Sequence, residues 1–175
     1  MLLLDKNYFE VLNLPRAFHI DSARLEKNYR ELLSAVHPDR FVTDSAEQRR
    51  LAMQAATLAN EAWRCLKDPV ERAAYLCRLG GQPVESIART GVSAEFLAEQ
   101  MAWREALDEA RDASDRAAIE TLQTEVAEVR ASLLIQLAQL IDDRADFSNA
   151  ANCVSRLMYV DRFAAQVDDA LDALL

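Results

Sequence analysis

His37, Pro38 and Asp39, in the stretch SAVHPDRFV (34–42), set an imidazole and a carboxylate on either side of a proline. Proline lacks a backbone donor and clashes with the preceding turn, so a helix ends at or before His37. The two polar side chains are then expected on a stiffened, exposed loop. Three roles fit such a loop. Asp39 can orient His37 as a general base, but a base needs a positioned nucleophile or substrate. No nucleophile elbow, Cys/His pair or paired carboxylates accompany it, and His19 is the only other histidine. Pro and Asp are also ordinary turn residues. The third role is docking, because Lys27 and Arg30 fall on the polar side of the preceding helix, with Arg24 on its flank, directly before the loop.

A second constellation lies in AEFLAEQMAWREALDEA (94–110). At 100° per residue, Phe96, Trp103, Leu107 and Ala110 cluster on one side and suit a bundle core. Leu97, Met101, Glu105 and Glu109 recur every four residues on another side. An apolar pair grading into two carboxylates suggests a partner site, although Leu97 and Met101 can also widen the core stripe.

The elements that must hold these residues are helices. Three glycines and four prolines in 175 residues, with alanine and leucine abundant, favour long regular elements. NYFEVLNLP reads as a short apolar helix stopped by Pro15. Asp21 and Ser22 signal the start of the next helix, whose Leu25, Tyr29, Leu32 and Val36 share a face. Ser45 and Gln48 resemble a capping box opening a long helix to Leu66, with Leu51, Ala55, Leu58, Ala62 and Cys65 as its expected inner stripe. Two helices joined by a short loop lie antiparallel to bury such stripes. Lys67-Asp68-Pro69 ends the long helix, and a short one comes next. Gly80, Gly81, Pro83 and Gly91 then punctuate a linker, and there is no glycine or proline after Gly91. Three more helices are expected: Ala94–Arg111 with Ser93 as cap, Arg116–Asp143, and Phe147–Leu174. The second carries Ile119, Leu122, Val126, Val129, Leu133, Leu137 and Leu140 at helical spacing. The expected fold is all-α, an antiparallel hairpin with short flanking helices and then a three-helix bundle.

Charge is distributed unevenly. Residues 1–75 hold 11 basic and 11 acidic side chains, and residues 76–175 hold 9 and 18, so the second part carries the entire net charge of −9. Such a chain is poorly suited to nucleic acid, which demands cation density. Cys65, Cys77 and Cys153 are odd in number and lack metal-ligand spacing, so they read as buried or idle thiols in a reducing compartment. The apolar triplet in MLLLDKNYFE is cut off by Asp5 and Lys6, too short for a signal peptide or a membrane span. A cytoplasmic location is expected.

A helix with a basic outer face, then His37-Pro38-Asp39, then a long helix ending in NEAWRCLKDPVERAAYL, resembles a J-domain over residues 6–76. Asn60, Ala62, Leu66, Asp68-Pro69, Arg72 and Tyr75 reinforce the pattern. The resemblance implies stimulation of ATP hydrolysis by DnaK-type heat-shock chaperones, with Lys27, Arg30, His37, Pro38 and Asp39 as the chaperone-contacting surface. Basic residues there would steer the encounter. Asp39 would accept a charge-assisted hydrogen bond worth about 1.5–3 kcal/mol.

FLAEQMAWREALDEA after a glycine-containing linker, with LMYVDRF in the last helix, is similar to the HscB family of iron–sulfur co-chaperones. That resemblance spans the chain and implies a J-domain (1–76), a linker (77–92) and a C-terminal scaffold-binding domain (93–175). It implies recruitment of an IscU-type scaffold to an HscA-type chaperone through Leu97, Met101, Glu105, Glu109 and Tyr159. Tyr159 is about 140° around its helix from Val154, consistent with a surface role if Val154 faces inward. Ala98 and Ala102 stand where the family reference carries a larger apolar residue and a carboxylate, so the scaffold site is expected to be smaller or less charged. The tetracysteine module of some relatives is absent. No bound metal, cofactor, membrane contact or catalytic activity is expected, and the cysteines are not arranged to ligate a cluster. The alternatives are a J-domain co-chaperone for another client, or a hydrolase using His37 and Asp39.

Overall fold

The computed structural model describes residues 6–37, 45–84 and 94–174, and these contain no strand. In chain order the helices are α1 (Tyr8–Val11), α2 (Ser22–Ala35), α3 (Ala46–Lys67), α4 (Pro69–Leu79), α5 (Ala94–Asp112), α6 (Arg116–Ala138) and α7 (Phe147–Asp172). A π-helical turn, Gln139–Asp143, extends α6. Contacts divide the chain into two units, Met1–Leu76 and Cys77–Leu175. Among the described residues no helix is long and apolar enough to cross a membrane.

In the first unit, α1 is too short to persist alone. A reciprocal Asn7/Glu10 capping box closes its first turn. Burial of Phe9 and Val11, a bond from the Tyr8 amide to the Tyr75 hydroxyl (3.1 Å) and stacking of Tyr8 on Tyr75 (4.5 Å) hold it in place. Asn13 turns the chain with φ +49°, a left-handed conformation that asparagine tolerates. The Asp21 carboxylate then caps α2 by accepting from the amides of Ala23 and Arg24.

The α2/α3 pair is antiparallel, because Tyr29 meets Asn60 while the earlier Glu26 meets the later Trp63 and Lys67. The tyrosine ring stacks on the Trp63 indole at 5.0 Å. Ser45 and Gln48 form the full capping box on α3. The inner stripe of α3 differs from the one the periodicity suggests. Ala52, Ala59, Ala62 and Leu66 are buried, whereas Leu51, Ala55, Leu58 and Cys65 are only half-buried. The helix is packed by α1 as well as by α2. Its most enclosed line is therefore rotated toward the alanines, where a small side chain admits a close neighbour. Asp68 accepts from the amides of Val70 and Glu71 at the start of α4.

The second unit contains an up-down-up three-helix bundle. Trp103 of α5 donates to Glu125 of α6, Arg130 and Gln123 of α6 bond Asp161 and Asp168 of α7, and Glu99 of α5 meets Arg156 of α7. Phe96, Trp103, Leu107 and Ala110 are all buried, as the 100° step predicts. Ile119, Leu122, Val126, Leu133 and Leu137 line the core face of α6, with Val129 half-buried. The expected uninterrupted helix to Asp143 widens instead into the π turn. The wider turn leaves the consecutive Leu140 and Ile141 both buried. Asp146 then caps α7, and hydrogen bonds from the Asn149 side chain and amide hold its carboxyl below the ordinary range. Gly80 packs against the Phe147 ring so closely that a Cβ would overlap it.

Candidate functional sites

The first candidate surface is the outer face of α2. Lys27 and Arg30 are exposed, and among the described residues Lys27 has only a long, water-screened pairing with Glu31 (4.0 Å). Arg30 lines a shallow groove with Leu33, Ser34 and the exposed His37, so the last turns of α2 present a cation, a leucine and an imidazole together. Arg24 bonds the Asn13 carbonyl at 3.4 Å. Pro38 and Asp39 lie outside the described residues. This face can offer charge and hydrogen bonds to an acidic protein surface.

The second candidate surface is on α5. Its helix is pinned by one face, since Trp103 stacks on Phe163 (5.4 Å) and bonds Glu125 (3.0 Å). The opposite face is left to solvent. Leu97 is 47% exposed and Met101 62%, which are large values for such apolar side chains, and Glu105 and Glu109 are exposed beyond them. The reading in which Leu97 and Met101 merely widen the core is therefore not what the fold does. Ala98 and Ala102 are exposed beside them and leave the strip low. Tyr159 on α7 is half-buried. Its ring meets Phe96 edge-on at 5.5 Å and stacks on Phe163 at 6.3 Å, and its hydroxyl is buried without a hydrogen-bond partner. Arg156 and Glu99, which the sequence pattern did not single out, join α7 to α5 at the same level (3.1 Å). Only the register between two helices brings them together, and no spacing within one helix signals it.

Cys65 is half-buried, and Cys77 and Cys153 are buried free thiols. Desolvation pushes both buried thiols up to about 11. Among the described residues no group of three or more His, Cys, Asp or Glu side chains could hold a metal ion.

A basic-faced antiparallel hairpin flanked by short helices is the architecture of a J-domain, and the DnaJ domain family matches residues 7–75. The family described as the HSCB C-terminal oligomerisation domain matches residues 92–168. The chain is 40% identical over 171 residues to the co-chaperone protein HscB homolog of Aromatoleum aromaticum, covering 98% of this chain and 97% of that one. It is 40% identical over 164 residues to the homolog of Bordetella pertussis, covering 94% and 95%. Among solved structures, chaperone HscB from Vibrio cholerae is similar with a TM-score of 0.83 at 33% identity, over 97% of this chain and 100% of that one. Human co-chaperone protein HscB is similar with a TM-score of 0.81 at 25% identity, over 93% and 81%. The chain belongs to the HscB family of J-type co-chaperones. Its relatives are named as co-chaperones rather than enzymes.

Proposed function

We propose that this protein stimulates the ATPase of a DnaK/HscA-type chaperone and delivers an IscU-type iron–sulfur scaffold to it, in the cytoplasm, without catalysis or a cofactor of its own. Lys27, Arg30, His37, Pro38 and Asp39 contact the chaperone. As a ligand with different affinities for its conformations, the J-domain shifts the chaperone toward hydrolysis. Leu97, Met101, Glu105, Glu109 and Tyr159 contact the scaffold. Residues 77–92 act as the linker between the two functions; of these, 77–79 continue α4 and 85–92 lie outside the described residues. The observation that carries the reading is the exposure of Leu97 and Met101 on a helix whose other face is already fully used by the bundle. That exposure supports a delivery protein over a J-domain merely joined to a structural bundle.

Two substitutions test the division of labour. Asp39→Ala is expected to abolish stimulation of the chaperone ATPase while leaving scaffold affinity unchanged, and retained stimulation rejects the role of the loop. Leu97→Ala with Met101→Ala is expected to weaken scaffold binding by about a hundredfold, given roughly 1–3 kcal/mol for each apolar anchor lost. Chaperone stimulation in the absence of scaffold should be unaffected. Unchanged binding by a folded double variant would mean that this face is idle and not the scaffold site.

A further inference from the structure

Leu97 and Met101 can meet a partner in a fixed arrangement only if the first turns of α5 stay docked, and those turns are thinly anchored. From Ala94 to Ala102 the one buried side chain is Phe96; the next is Trp103. Phe96 is held by α7 from two directions. The ring meets Tyr159 edge-on at 5.5 Å, and the Arg156 guanidinium sits over it at 5.0 Å. The same guanidinium donates through Nη2 to Glu99 Oε2 at 3.1 Å. Glu99 lies one turn after Phe96, and Tyr159 one turn after Arg156, so Arg156 touches two turns of α5 and Phe96 touches two turns of α7.

We propose that Arg156 and Glu99 are positioning residues for the Leu97–Met101 face, clamping the exposed end of α5 onto α7. The inference rests on the reading of that face as the scaffold site. A guanidinium suits the task because its plane can cover an aromatic ring while its edge donates to a carboxylate, which a lysine ammonium cannot do. The two side chains are 40% and 32% exposed, so water screens this pair less than a fully exposed one. Without the clamp, among the described residues 94–102 Phe96 is the one buried side chain that opposes the fraying to which helix termini are prone.

The test uses the full chain with Arg156→Glu, Glu99→Arg and the two together. One readout is hydrogen exchange at the amides of residues 98–102, the first in α5 bonded within the helix. The other is affinity for a purified IscU-type scaffold. Each single reversal is expected to speed exchange there and to weaken scaffold binding by about tenfold, a common size for coupling between contacting residues. Exchange in the middle of α6 should not move. The double reversal should recover the part of both losses that the ion pair carries, and so exceed either single. A double reversal no better than the singles, or exchange at 98–102 unchanged by either single, overturns the clamp. Weakened binding without faster exchange and without rescue would instead mean that Arg156 touches the scaffold directly. If the unaltered chain does not bind the scaffold, the assignment of that face falls, and the exchange data still decide for or against the clamp.

Discussion

The Tyr159 hydroxyl is buried against Phe96 and Phe163 with no group to bond. An unmet hydroxyl of this kind costs about 1–3 kcal/mol of desolvation. Tyr159→Phe keeps the ring contacts and removes the cost, so a gain of about 1 kcal/mol in urea unfolding is expected. A loss of stability would mean that the hydroxyl has a partner in solution. The buried thiols of Cys77 and Cys153 make a second residue-level prediction. Burial raises both to about 11, and for Cys77 the nearby Cys153 adds to the effect. The folded state therefore holds these protons more tightly than the unfolded chain, where a thiol titrates near pH 8.5. Their contribution is complete below about pH 8.5 and is lost as pH rises through about 11. The unfolding midpoint should fall across that window, and less steeply in a chain carrying Cys77→Ala and Cys153→Ala. Equal slopes would remove the thiols from the account.

At the scale of the elements, the C-terminal end of α4 depends on an absent side chain. Gly80 lies against Phe147, and a methyl group there would overlap the ring. Gly80→Ala is expected to destabilise the second unit by about 1–3 kcal/mol, the usual cost of overpacking; thermal unfolding with a probe near Trp103 would read it. A neutral result would show that the first turn of α7 can shift. Helix starts and the α5 core were legible in the sequence because each depends on neighbours along one helix. Asp21 and the Ser45/Gln48 box are capping patterns of local spacing, and Phe96, Trp103, Leu107 and Ala110 obey a single period. The same period places Leu97 and Met101 on another side of α5 but leaves open whether they widen the core; their exposure in the bundle decides it. The features that the periodicity missed depend on a second helix. The buried line of α3 keeps the expected Ala62 but otherwise runs through Ala52, Ala59 and Leu66, on a helix that α1 packs as well as α2. The π turn appears where α6 buries two consecutive apolar residues. Arg156 reaches Glu99 across a register that no spacing within α5 or α7 encodes.

At the scale of the whole molecule, two units with separate cores, one balanced in charge and one carrying the full net −9, are suited to two different partners. A protein that carries one partner to another behaves differently from a simple activator as its amount is raised. On the proposed reading, the gain comes from holding the scaffold at high effective concentration beside the chaperone. With this protein scarce, most of it that binds a chaperone also carries a scaffold. With it in excess over both, each chaperone and each scaffold is occupied by a different copy, and the bridge is lost. Stimulation of the chaperone ATPase without scaffold should therefore rise to a plateau. The additional stimulation on adding scaffold should rise, pass through a maximum and decline. The Leu97→Ala/Met101→Ala chain should retain the plateau and show a much smaller additional component. Steady-state ATPase titrations, with and without a fixed amount of scaffold, make the comparison. If the additional component also reaches a plateau and does not fall in excess, the scaffold acts on the chaperone without being carried, and the protein is an activator rather than a bridge.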